Sequence, residues 1–134
     1  MIGYRPLALE DLNMNKRSTT WVVMLAAAAA IGGCGKQLSY ADIEPIMQQK
    51  CAECHTGDKE GVVASGFSVD SYETVMKGTK LGPVIVEGSA ESSSLYRMVA
   101  GMTDPSIHMP HGKDPLTKTQ IETIGLWIDQ GAKK

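Results

Sequence analysis

Cys51-Ala52-Glu53-Cys54-His55 constrains this chain more than any other stretch. Two thiols three residues apart, with an imidazole directly after the second, form the pattern of c-type haem attachment. On a turn of helix, side chains three and four apart are neighbours, so both sulfurs and the ring fall on one face. The thiols then reach the two vinyl groups along one edge of a porphyrin, and His55 reaches the iron. Other chemistries suit the pentapeptide less well. A redox Cys-x-x-Cys belongs in a βαβ setting, and no such pattern surrounds this one. A structural zinc site needs four ligands, and no second Cys/His pair lies at a suitable spacing. A Cys51–Cys54 disulfide would leave His55 without a role. The expected cofactor is therefore one covalently bound haem c, held by Cys51, Cys54 and His55.

Composition agrees with that expectation. With 134 residues the chain has room for one domain. Aromatic residues make up only 5%, with a single Phe, which is thin for a core built of protein alone. A buried macrocycle would make good that deficit. Thirteen basic side chains stand against 15 acidic ones, so no nucleic-acid partner is implied.

Lys16-Arg17 precede an apolar run over residues 21–31, followed by Gly32-Gly33 and Cys34. A charged segment, a short apolar core and a small-residue boundary describe an export signal. The run is too short for an ordinary membrane span of roughly 20 apolar residues. Glu10 and Asp11 fit the signal poorly, whereas Met14 begins it well. The pattern predicts translation from Met14, with residues 1–13 no part of the protein. The cysteine count is odd, so Cys34 would otherwise be a free thiol in an exported chain. Ile31-Gly32-Gly33-Cys34 resembles the lipobox of bacterial lipoproteins, in which the cysteine is cleaved free and acylated. The alternative is an ordinary signal cleaved near Gly33 or Gly35. The expected organisation is a removed signal over 1–33, a tether over 34–39 and one domain over 40–134. That places the domain outside the cell, lipid-anchored on the periplasmic side of a bacterial membrane.

Helix signals recur along the mature part. Ser39 with Asp42 opens a helix that carries Ile43, Ile46 and Met47 on one face and leads into Cys51. Gly57, Gly61 and Gly66 predict an irregular loop. Asp70 with Glu73 predicts a short helix ended by Gly78, and residues 92–94 cap another that carries Leu95, Met98 and Val99. Gly82-Pro83-Val84-Ile85-Val86 reads as an extended loop, since no partner strand is visible. Thr117 with Gln120 opens a last helix, with Ile121, Ile124 and Ile128 as its apolar stripe. Gly125 on that face permits close approach of another helix.

Residues 102–115 form a long non-helical segment with two histidines, two methionines and three prolines. Long ordered loops in small domains are usually functional. An electron-carrying haem normally has both axial positions filled, and the candidates are Met98, Met102, His108, Met109 and His111. Met98 lies on an inward helical stripe. Met109 lies in a loop long enough to wrap the far side of the ring, beside Pro110, which stiffens it. Met109 is the favoured ligand, with His108 next.

The haem motif, residues 71–78, residues 82–86, Ser94-Leu95, Met109-Pro110 and Trp127-Ile128-Asp129-Gln130-Gly131-Ala132 together resemble a class I cytochrome c domain. The most similar version is the planctomycete-type cytochrome c. The resemblance covers the whole mature chain. It implies an all-α fold, several helices around one haem, with the first and last helices crossing. It also implies Cys51 and Cys54 as attachment sites, His55 as proximal ligand and Met109 as distal ligand. Met109-Pro110-His111 departs from the Met-Pro-Pro common in that family.

The expected function is single-electron transfer between redox protein partners that dock transiently at the haem edge. No constellation of acid, base and nucleophile marks a catalytic site. From Cys34 onward ten basic and thirteen acidic side chains leave a net negative domain. Such a surface favours partners that are neutral or positive where they dock. A haem sensor, or a haem-bearing subunit of a larger oxidoreductase, would instead need a displaceable distal ligand.

Overall fold

The computed structural model describes residues 35–134. The expected signal, the start at Met14 and the acylated Cys34 lie outside the described residues. The main unit begins at Lys36, and its order is helix throughout: among the described residues there is no strand, only an isolated bridge between Thr79 and Gly82. The fold is all-α, as expected.

Ser39 and Asp42 open the first helix. The Ser39 N–H donates to the Asp42 carboxylate at 3.0 Å, and α1 spans Tyr40–Lys50. It runs through Pro45, forgoing the bond that a residue there would make to Ala41, which is exposed. Tyr40, Ile43 and Met47 recur at helical spacing and are buried. Part of the expected tether belongs to the domain. Leu38 is buried, its N–H donates to Gln130 Oε1 at 2.6 Å, and the Gln130 amide donates to the Lys36 carbonyl at 3.1 Å. An apolar side chain at position 38 gains by leaving water, which a free tether cannot offer.

The largest difference from expectation lies between Gly57 and Gly66. Instead of an irregular loop, Glu60–Ser65 form a short helix, α2, which Gly66 ends in the left-handed region at φ 82°. Gly61 sits inside that helix for a packing reason that belongs to the functional site. The next helix, α3, spans Tyr72–Lys77 and is capped by Ser71 with Thr74 rather than by Asp70 with Glu73. Asp70 is engaged elsewhere: its carboxylate accepts from the Ser68 hydroxyl at 2.6 Å and from the Gly57 N–H at 3.0 Å.

Residues 82–86 are an extended, ordered segment, as expected. The Val84 carbonyl accepts from the Leu95 N–H at 3.1 Å, at the start of α4, which spans Ser94–Val99. The fully buried Ser93 joins the two, accepting from the Val86 N–H and donating to the Ser89 carbonyl, both at 2.8 Å. A 3-10 turn over Pro105–Ile107 interrupts the long segment that reads as wholly non-helical, with the Asp104 carboxylate accepting from the Ser106 N–H. The last helix, α5, spans Lys118–Asp129 behind its predicted Thr117–Gln120 capping box.

Helices α1 and α5 pack antiparallel. Tyr40 near the start of α1 meets Trp127 near the end of α5, ring centroids 6.1 Å apart, while Gln49 at the end of α1 meets Gln120 at the start of α5. Helix α4 packs on α5 where Gly125 admits the Tyr96 ring; a Cβ at Gly125 would lie 2.8 Å from Tyr96 Cε2. One end of the core is an aromatic cluster of Tyr40, Tyr72 and Trp127. It also pins the C-terminus: the Tyr72 hydroxyl donates to the Ala132 carbonyl and the Trp127 indole to the Lys133 carbonyl. The other end is a cavity.

Candidate haem site

The cavity begins where α1 stops. Beyond Lys50 the backbone keeps turning: the Cys51 N–H donates to Met47, and the Cys54 and His55 N–H groups both donate to the Cys51 carbonyl at 3.1 and 2.9 Å. These tight turns place Cys51, Cys54 and His55 on one side, and all three line a cavity of about 490 Å³. That volume suits a sizeable cofactor. Phe67, Val84, Leu95, Val99 and Leu116 supply most of its walls, and they are buried apolar side chains.

His55 is the most constrained of the three. Its Nδ1 lies 3.0 Å from the Phe67 carbonyl, an oxygen that can only accept. Nδ1 therefore carries the proton, and the lone pair of Nε2 is free to bind a metal. The Phe67 ring meets the imidazole edge-on, with centroids 5.3 Å apart, and the His55 carbonyl accepts from the Val69 N–H at 2.8 Å. Helix α2 closes over the same ring. A Cβ on Gly61 would lie 2.6 Å from the Cys54 carbonyl and 2.8 and 2.9 Å from His55 Cε1 and Nδ1. Only glycine allows the helix to approach so closely. Asp70 then ties down the loop after the motif, and its hydrogen bond from Ser68, with a further one from Gly57, holds its carboxyl below the usual range.

The two thiols differ in surroundings. Cys51 lies against Met47, and burial pushes its thiol up to about 11, so it is protonated at neutral pH. Cys54 is nearer the mouth, its Sγ 3.8 Å from Glu60 Oε1.

Of the distal candidates, Met98, Met109 and His111 line the cavity. Met109 is half-buried against the core and its N–H donates to the Met98 carbonyl at 3.3 Å. His108 lies elsewhere: its Nε2 pairs with the Thr103 carbonyl at 2.8 Å, and the ring lines a neighbouring cavity. Met102 is 51% exposed and lines neither. Cys51, Cys54, His55 and Met109 are thus brought together. Gly61 and Phe67 are functional residues that sequence patterns do not single out. A glycine among loop-breaking glycines hides a contact, and a backbone acceptor has no residue signature.

This donor set fits a covalently bound haem: two thiols at one rim, an imidazole with its metal-binding nitrogen free, a thioether in the same chamber and apolar walls. A family model described as Planctomycete cytochrome C matches residues 51–111. The match supports a cytochrome c-type domain of that kind over those residues. The match starts at Cys51 and ends at His111, so it spans the site from the first thiol to the loop that carries Met109. Searches of curated proteins and of solved structures returned no match. A domain of that kind implies covalently bound haem c, suggests haem-based electron transfer and fits an electron carrier.

Gly61→Ala tests the proximal packing. The added methyl meets backbone and ring, which cannot both yield, so overpacking should cost about 1–3 kcal/mol in denaturant unfolding of the haem-loaded protein. The visible spectrum should shift as His55 is displaced. Unchanged stability and spectrum would show that the contact does not matter.

Proposed function

We propose that the protein is an exported, membrane-tethered carrier of single electrons. It holds one haem, attached through Cys51 and Cys54 and ligated axially by His55 and Met109. The observation that carries this reading is the shared cavity, in which His55 offers a free Nε2 and Met109 offers the sulfur. Bound there, haem supplies an iron that alternates between ferric and ferrous states.

The chain's own residues set the conditions. The Phe67 carbonyl fixes the proton on His55 Nδ1, keeps the ring correctly turned, and raises its basicity as a ligand. The Met109 thioether favours the ferrous state, giving a higher potential than two imidazoles would. Phe67, Val84, Leu95 and Val99 keep water from the ring, while Lys50, Glu53, His111 and Lys113 surround the mouth. That charged rim, on a net negative domain, suits brief docking of a redox partner that is neutral or positive at the contact.

Tethering is supported by the signal-like residues 16–33 and by the odd cysteine at position 34. No helix among the described residues is long and apolar enough to cross a membrane. Acyl chains on Cys34, at about 0.8 kcal/mol per buried methylene, would hold the domain at the surface. Cys34→Ser should then move the protein from the membrane to the soluble exported fraction with its visible spectrum unchanged. Wild-type protein that a salt wash releases completely would rule the anchor out.

The ligand assignment is tested by Met109→Ala. A thioether on ferric haem gives a weak far-red charge-transfer band that two imidazoles do not. The variant should lose the band, fall in potential and bind carbon monoxide when reduced. His108→Ala and His111→Ala should keep the wild-type band. A wild type without the band, whose iron opens only in His108→Ala, would assign the distal position to His108.

A further inference from the structure

The loop that carries Met109 is poorly supported from within. Residues 111–115 are all exposed, and burial resumes only at Leu116. Beside the loop lies a second cavity of about 320 Å³, which shares Met98, Met109 and Lys113 with the haem chamber and is also lined by His108, Pro115 and Ile121. Met109 itself packs half-buried against the core, but beyond Pro110 the loop depends on polar ties. The Met109 N–H reaches Met98, and the Lys50 ammonium donates to the Pro115 carbonyl at 3.3 Å. The third tie crosses the cavity mouth. Lys113, which lines both cavities, forms an ion pair with Glu53, one of the two residues between Cys51 and Cys54.

Resting on the assignment of Met109 to the iron, we propose that the Glu53–Lys113 pair is a clasp that positions the Met109 sulfur by tying the distal loop to the attachment loop. Neither residue touches the iron. When the pair parts, the loop is free to lift into solvent, the sulfur leaves, and a small ligand can take its place. Both side chains are substantially exposed, at 42% for Lys113 and 72% for Glu53, so the pair is modest and sensitive to salt. A modest clasp suits a ligand that must hold during electron transfer and still yield to competition.

The test uses ferric, haem-loaded protein titrated with free imidazole, following loss of the thioether band. Lys113→Ala and Glu53→Gln should each raise imidazole affinity about two- to fivefold, the range that exposed ion pairs support. The double variant should go no further than the stronger single one, because both remove the same interaction. Lys113→Arg should behave like wild type. High salt should raise imidazole affinity in wild type and have little effect in Lys113→Ala. If the band is present and Lys113→Ala binds imidazole like wild type, or the two substitutions add, the clasp is wrong while the Met109 ligand stands. If wild type shows no band at all, the ligand assignment fails and takes the clasp with it.

Discussion

The hydrogen bond from His55 Nδ1 to the Phe67 carbonyl is the constraint on which the rest of the site depends. A bond of this kind contributes about 0.5–1.5 kcal/mol to stability, but its value here is directional. It decides which ring nitrogen carries the proton and so which one can meet a metal. Other features converge on it. The Val69 N–H fixes the His55 carbonyl, Asp70 gathers Gly57 and Ser68 to close the intervening loop, and Gly61 lets α2 lie against the ring. Residues 55–70 are therefore a brace for one imidazole.

The two walls of the cavity are built on different principles. The attachment side grows out of α1, whose buried Ile43 and Met47 anchor it in the core and whose last turn hands over directly to Cys51. Burying side chains of that size contributes about 1.5–3 kcal/mol each. The distal loop has no such backing. Its ties are hydrogen bonds to backbone and one exposed ion pair, and an exposed pair contributes only about 0.2–1 kcal/mol. If Met109 is the distal ligand, rigid proximal geometry with a lightly held sulfur is a reasonable division of labour: the attachment side would keep the cofactor and the other side would tune it.

Much of this was legible in the sequence, for a physical reason. Covalent attachment needs its residues at fixed short spacing, so Cys51, Cys54 and His55 announce themselves. Helix caps are equally local, and Ser39, Ser93 and Thr117 stand where their spacing puts them. That Met109 would face the site was legible from its place in a long proline-rich loop, and it does line the cavity. What stayed hidden depends on backbone or on distant contact. Gly61 reads as a breaker because its partner, the His55 ring, is known only once the chain folds back. The orientation of His108 is set by the Thr103 carbonyl, which no side-chain pattern reveals. The cap at Ser71 displaced the expected one at Asp70 because the Asp70 carboxylate is drawn to Ser68 and Gly57 across the loop. Leu38 looked like tether because its partner, Gln130, is at the other end of the chain.

The central claim is that one haem is bonded to this chain through Cys51 and Cys54. Intact-mass spectrometry under denaturing conditions, on protein made in cells that attach haem c, tests it most directly. Covalent attachment of one haem predicts a single species heavier than the processed chain by one haem, and none of that added mass on the Cys51→Ser, Cys54→Ser double variant. A wild type at the mass of the bare chain, or a double variant that keeps the haem, would contradict it.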